Sequence, residues 1–470
     1  MTLRRMFVLT VVFLFAEVHA PAQQQYRVIG YYTMWGRSTL PASGVRFNYL
    51  THINHAFAWP NTDGSIASYE PAVDTALINA THRAGRKILL SLGGAGTTQA
   101  QNFALVAADS ALRTTFVDNI VSRLATYHYD GVDLDWEGPS SLADRANEVA
   151  LVQELRAAFY LANTTWLITM AIGPSSWSGQ WHDYAALKLS VDWFNAMEYD
   201  FHGSWSKIAG HNAPLYAGTD PSSDLDYYSI DQSVQYLTVE RAIPKEKLVL
   251  GLPFYGKSFG TSTLYTSYTG EQDLAYRDIM SAVQNGNWTY TWDDGSQAPY
   301  YTLASPPTFI SLDDPTSIAI KCQYVREKGL SGVMIWELSQ DVIGQEQPLM
   351  DVVGAQMGTT TGVPEPLALA PAGFALYDNY PNPFSAGGGS AFGGNLSTAI
   401  RFAMPVAAHV SIRVFDLLGR EVASLLDEDR AAGVGAVLFD ASHHDLASGV
   451  YFYRIHAGTF TQTKKMILMR

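Results

Sequence analysis

Four carboxylates fall within one eight-residue stretch, Asp130-Gly-Val-Asp133-Leu-Asp135-Trp-Glu137. Side chains of an extended strand alternate between faces. That groups Asp133, Asp135 and Glu137 on one side and Val132, Leu134 and Trp136 on the other. At about 3.3 Å of rise per residue, neighbouring carboxylates on the acidic face stand roughly 6–7 Å apart. Three such groups in a sheltered site cannot all ionise cheaply near neutral pH, so at least one keeps a proton and is ready as a general acid. A solvated acidic edge would not interleave Val, Leu and Trp. A calcium loop of the D-x-D-x-D-G kind would need a glycine after the third acid and a later glutamate, and neither is there.

Other residues offer little chemistry. The single cysteine, Cys322, excludes an intramolecular disulfide, and its spacing from Ile318 and Val325 marks a helix-core residue rather than a nucleophile. The histidines show no metal-ligand spacing beyond His443-His444, which reads as a polar turn, and no cofactor or metal is implied.

The acidic stretch needs a scaffold, and the surrounding sequence supplies one. Eight short apolar runs, at 27–33, 51–58, 87–92, 129–136, 166–172, 192–199, 247–254 and 332–337, alternate with amphipathic helical segments. Runs such as KILLSLGG and KLVLGLPF are apolar almost throughout, as expected of parallel strands covered on both faces. One helix carries Leu112, Phe116, Ile120 and Leu124 behind a Ser110 cap. Another opens at Asp314-Pro315 and stops at Gly329. Eight βα steps predict an α/β fold, a TIM (β/α)8 barrel over 26–357, with its site at the C-terminal ends of the strands, where Glu137 stands. Residues 258–312 are too long and too rich in turns and aromatics for one connection, and read as an inserted α+β subdomain.

The motif and its companions resemble a known family. Asp130, Asp133, Asp135 and Glu137 complete the DxxDxDxE signature of glycoside hydrolase family 18, the chitinases and their relatives. Ser91-Leu-Gly-Gly94 is similar to its SxGG element and Met197-Glu-Tyr199-Asp200 to its M-x-Y-D. Pro253-Phe-Tyr255-Gly256 and Met334-Ile-Trp336 follow in order at later strands, and the insertion is similar to the one that forms a cleft wall in one branch of the chitinases. The resemblance implies substrate-assisted, retaining hydrolysis of β-1,4 N-acetylglucosamine linkages, with the sugar's own acetamido oxygen as nucleophile. It implies Glu137 as general acid/base, Asp135 as the residue that orients the acetamide and stabilises the oxazolinium ion, and Asp133 as its proton-sharing neighbour. Tyr199 would hold the acetamido carbonyl, with Met197 and Asp200 close by. Trp336 would form the floor under the reacting sugar, and Tyr31, Phe57, Gly94, Tyr255 and Met334 the rest of the subsite. Asp130 is expected to support the strand end. The glycines of SxGG would let the backbone approach the sugar.

Two positions depart from the family's pattern. Ala95 follows SxGG where Trp is common, and Lys257 follows Tyr-Gly where Arg is usual. Both put the leaving-side subsites in question. Trp35, Trp59, Trp205 or Trp292 are candidates to replace the missing stacking. Within the enzyme class the alternative is an endo-β-N-acetylglucosaminidase acting on N-glycans or peptidoglycan. In another class, a chitin-binding lectin-like protein on the same barrel would dispense with the acid that Glu137 provides.

The ends of the chain speak to location. Arg4 and Arg5, an apolar run and Ala20-Pro-Ala22 read as a signal peptide over 1–22. Residues 358–372 are rich in Thr, Pro and Ala and read as a linker. Residues 373–470 read as an all-β, immunoglobulin-like sandwich. They resemble the C-terminal sorting domain of the type IX secretion system at Tyr380-Pro-Asn-Pro-Phe384, Val414-Phe-Asp-Leu-Leu-Gly-Arg-Glu-Val422 and Lys464-Lys-Met-Ile-Leu468, with a Gly-rich insert at 386–394 expected to form a loop. A sugar-binding module is the alternative for this fold. The expected partners are chitin or its oligosaccharides and the type IX machinery, for a monomer that is secreted, extracellular or attached to the cell surface. A net charge of −14 with no basic patch argues against nucleic acid or an anionic membrane, and no later run is long enough to span a bilayer.

Overall fold

The computed structural model describes residues 26–69, 73–222, 227–284, 286–358, 373–379, 382–385, 397–430, 432–441, 444 and 446–469. The expected signal peptide, the Gly-rich insert, His443 and all of the expected 358–372 linker except residue 358 lie outside them.

Strands Arg27–Thr33, His52–Pro60, Lys87–Gly93, Gly131–Asp135, Leu167–Ile172, Trp193–Ala196, Leu248–Pro253 and Gly332–Trp336 pair in parallel in chain order, and the eighth and second both flank the first. The sheet therefore closes into an eight-stranded barrel. Two-residue alternation sorts its side chains. On the fourth strand Val132, Leu134 and Trp136 join the layer between sheet and helices, where Trp136 stacks on Phe103 with ring centroids 5.5 Å apart. Covering each of these apolar side chains contributes about 1.5–3 kcal/mol. Asp133 and Asp135 turn the other way, into the barrel.

The helices that brace this strand have legible ends. Ser110–Tyr127 packs Phe116, Ile120 and Leu124 inward. Its cap is Asp109 rather than the expected Ser110: the Asp109 carboxylate accepts the N–H groups of Ala111 and Leu112, and an anion also suits the positive end of the helix. In Pro315–Lys328, Asp314 caps with a reciprocal Ser317 contact, Pro315 takes the first turn, and Gly329 closes the helix at φ 71°. Cys322 is fully buried on this helix, and burial pushes its thiol up to about 12.

The sixth strand stops at Ala196, three residues short of the expected end. Glu198 N–H turns back to the Ala196 carbonyl and Tyr199 N–H to that of Met197, so the chain leaves the sheet in a tight bend ending at Asp200, φ 61°. The insertion likewise begins earlier than expected. Only Phe254 separates the seventh barrel strand from Tyr255–Phe259, which lies between Glu271–Ala275 and Pro307–Ser311 in a five-stranded antiparallel sheet completed by Thr289–Asp293 and Ala298–Ala304. Because the chain passes from barrel to insertion without a loop, Tyr255 and Lys257 emerge directly at the barrel mouth.

Beyond the barrel, two all-β sheets share one core. Ile400, Phe402 and Phe439 from a three-stranded sheet meet Val410, Ile412, Tyr453, Ile455 and Met466 from a five-stranded one. No helix among the described residues is long and apolar enough to cross a membrane.

Candidate active site

The fourth strand delivers Asp133 to the centre of the barrel, where four other strands meet it. Its Oδ2 accepts the Tyr31 hydroxyl at 2.6 Å and the Ser91 hydroxyl at 2.8 Å. Its Oδ1 accepts the Thr169 hydroxyl at 2.5 Å and the Asn195 amide at 3.0 Å. Burial raises this carboxyl's pKa and the four donors oppose it. With both oxygens already accepting, Asp133 has no oxygen free to carry a proton without losing a bond, so it is the member that bears the charge.

Asp135 is different. It is 3 % exposed, and its Oδ1 has no hydrogen-bond partner among the described residues. Burial first, then Glu137 and Asp133, hold it well above the usual carboxylate range. Asp135 is therefore where the proton rests. Glu137 ends the series. Its side chain is exposed at the barrel mouth, and desolvation by the protein around its carboxyl, with the charge of Asp200, lifts it to about 7.

The backbone around these acids leaves no room for side chains. Gly93, paired with Asp135 and at φ 135°, would press a Cβ to 1.9 Å from the Asp135 carbonyl oxygen. Gly94, φ 93°, donates its N–H to that same carbonyl at 3.0 Å, and a Cβ there would strike the Phe57 ring at 2.9 Å. Whatever their relation to a bound sugar, these glycines make way for the acidic strand and for Phe57.

Above the acids lies an aromatic group. Trp336, half-buried at the end of the eighth strand, stacks on Phe57 at 5.7 Å and meets the Tyr31 ring edge-on at 5.4 Å; Trp35, at 6.4 Å from Trp336, is 53 % exposed. The peptides Ala56–Phe57 and Trp336–Glu337 are cis. Tyr199 donates to Met334 Sδ at 3.9 Å and packs edge-on against Tyr255 at 5.9 Å. Tyr255 in turn donates to Asp200 Oδ1 at 2.5 Å. Met197 is half-buried among the same group. Asp133, Asp135, Tyr31, Phe57, Tyr199, Met197, Asp200, Tyr255, Met334 and Trp336 thus gather at one end of the barrel. Asp130 sits at the other end of the fourth strand, where it accepts from His82 Nε2 at 2.9 Å and Ile88 N–H at 2.8 Å.

This arrangement coincides with a known one. Residues 27–341 match the model of Glycosyl hydrolases family 18. The chain belongs to this family. A probable endochitinase of Caenorhabditis elegans is 33 % identical over 375 residues, covering 70 % of this chain and 60 % of the relative. Chitinase A1 of Niallia circulans is 30 % identical over 443 residues, covering 75 % and 61 %. The chain thus spans about three fifths of the length of those relatives. A family GH18 chitinase from Cycas revoluta, solved in complex with allosamidin, superposes with TM-score 0.64 at 26 % identity over 71 % of this chain and 100 % of that one. Residues 379–469 match the Secretion system C-terminal sorting domain.

Within the family 18 barrel, three polar residues were not foreseen as site residues. Thr169 and Asn195 reach Asp133 from strands whose relative register sequence does not reveal, and Ser91 stood unread inside its motif. Of the four tryptophans offered as substitutes for stacking at Ala95, Trp35 joins the Trp336 group and Trp59 packs on Tyr69 at 5.0 Å. Trp205, 61 % exposed, lies 5.3 Å from the Lys257 ammonium, and Trp292 stands on an insertion strand.

Proposed function

We propose that this chain is a secreted chitinase that hydrolyses β-1,4 N-acetylglucosamine linkages with retention, using the substrate's acetamido group as nucleophile. The observation that carries the reading is the division of labour among three acids on and just past the fourth strand. Asp133 is saturated by four donors, Asp135 is buried with a free oxygen, and Glu137 is poised near neutrality at the mouth.

A neutral, buried Asp135 is a poor nucleophile, which favours the substrate's own oxygen in that role. Glu137 gives its proton to the glycosidic oxygen as the C1–O bond breaks. The acetamido oxygen bonds to C1 and forms an oxazolinium ion, and the acetamide N–H donates to the free Asp135 oxygen. The positive charge that develops is met by the acid group in a low-dielectric site. Glu137, now a carboxylate, takes a proton from water as that water opens the ring at C1. Two inversions give net retention. The Tyr199 hydroxyl orients the acetamido carbonyl, and Trp336 supports the apolar face of the sugar.

The chitinase names of the relatives support chitin as the polymer, and the sorting-domain match supports export through the type IX machinery to the cell exterior. The test compares product release from chitin oligomers, a high-mannose glycoprotein and peptidoglycan. Cleavage of the oligomers at the highest kcat/KM is expected; cleavage only of either alternative would overturn the assignment.

A further inference from the structure

Lys257 stands in a setting that the reaction as written does not use. Its side chain is only 2 % exposed, yet it carries an ammonium group among three carboxylates: Asp273 at 2.5 Å, Asp200 at 3.1 Å and Glu271 at 3.4 Å. The Trp205 and Tyr255 rings face the same ammonium at 5.3 and 5.7 Å. Burial alone would lower its pKa, but Asp200 and Asp273 more than reverse that, so the group is charged. Two of its partners come from the insertion's edge strand, where Asp273 lies directly across from Lys257 in the antiparallel register. The third, Asp200, belongs to the barrel and is the anion that bears on Glu137.

We propose that Lys257 is a positioning residue for the acid. It ties Asp200 to the insertion and shields Glu137 from the Asp200 charge. The geometry supports the tie directly, and the Lys257–Asp200 ion pair together with the charge that Asp200 exerts on Glu137 supports the shielding. Asp200 sits in a left-handed backbone conformation, its N–H held by Asn212 Oδ1 at 3.2 Å and its Oδ1 shared between the Tyr255 hydroxyl and the Lys257 ammonium. Among the described residues, Lys257 is the one cation paired with Asp200. The other titratable groups that act on Glu137, Asp200 or Lys257 are Asp135 on the fourth strand, Tyr199 after the sixth, and Tyr255, Glu271 and Asp273 on the insertion, with Asp133 and Tyr31 one step deeper beside Asp135. All are acidic or neutral. Removing the ammonium therefore leaves Asp200 unbalanced beside Glu137, and a carboxyl facing an unbalanced anion holds its proton to higher pH.

The inference rests on Glu137 acting as the proposed acid, and two readouts separate the two ideas. The first is the pH profile of kcat on chitin oligomers for Lys257→Met and Lys257→Arg, each made in the wild-type and Asp200→Asn backgrounds. Lys257→Met should move the alkaline limb upward by roughly 0.5–1 pH unit. Lys257→Arg should leave the limb in place, and in the Asp200→Asn background Lys257→Met should not move it. The second readout is the carboxyl-carbon NMR titration of Glu137 in protein labelled at glutamate, assigned with Glu137→Gln, which needs no turnover and should show the same shift. An unmoved titration in Lys257→Met, with only rate or stability lost, would overturn the proposal. So would an equal shift in both backgrounds, because Lys257 would then act on Glu137 without Asp200. If wild-type protein cleaves none of the oligomers, the proposed function falls, while the NMR titration still decides the role of Lys257.

Discussion

Tyr31, on the first barrel strand, donates its hydroxyl proton to Asp133 Oδ2 across 2.6 Å. A ring expected to line the sugar subsite thus braces the innermost acid as well. The bond links the floor of the site to its proton balance, because the same ring abuts Trp336.

Tyr31→Phe keeps the ring and removes one of four donors. A hydrogen bond to a charged group is worth about 1.5–3 kcal/mol, so Asp133 should hold its charge less well and draw the proton from Asp135. A fall in kcat of roughly 10- to 100-fold with KM nearly unchanged is expected from steady-state kinetics on chitin oligomers. A change confined to KM would mean that the hydroxyl serves only in sugar binding.

Glu137→Gln removes the proton donor while keeping the side chain's shape. Turnover should drop by roughly 10²–10⁴-fold or more, with oligosaccharide affinity retained in calorimetry. Activity close to wild type would remove Glu137 from the mechanism.

The two kinds of positive-φ glycine separate strain from collision. Gly85, φ 69°, has nothing within 4 Å of a built Cβ, and Gly85→Ala should cost only the left-handed penalty of about 1–2 kcal/mol. Gly93→Ala adds contact with the Asp135 carbonyl oxygen and should cost upwards of about 4 kcal/mol, or yield no folded protein. Equal melting temperatures for the two variants would contradict the tight packing of the third and fourth strands.

Glu198 lies between two site residues but is fully buried, and burial lifts it to about 8, opposed by Ser233 and Lys321. An acid whose pKa is higher folded than unfolded contributes its stability below the unfolded value near 4.5 and loses it as pH rises through the folded one. Between pH 5 and 9 the wild type should therefore lose stability relative to Glu198→Gln, by an amount on the order of a few kcal/mol. Parallel melting curves across that range would show that Glu198 is not protonated at neutrality.

Much of this was readable in the chain, and the boundary is physical. The alternation across 131–136 announced which side chains turn inward, and Asp314, Pro315 and Gly329 announced a helix from its ends, because both signals are local. Asp109 was passed over for Ser110 because either residue can cap and adjacent candidates differ by one position. The donors around Asp133 were hidden for another reason. Thr169 and Asn195 lie 36 and 62 residues away, and only strand register brings them to one carboxylate. The cross-strand pair of Lys257 with Asp273 is of the same kind: its chemistry was visible as a departure from the family pattern, its partner only in the fold.

The claim at the centre is that the sugar's own amide, not a protein carboxylate, attacks C1 while Glu137 holds the proton. Time-resolved NMR of fresh products from chitin oligomers, set beside oligomers lacking the N-acetyl group at the reacting sugar, tests it most directly. β-Anomeric product is expected at early times, with no turnover of the de-acetylated substrate. Initial α-product, or undiminished cleavage without the acetyl group, would contradict it.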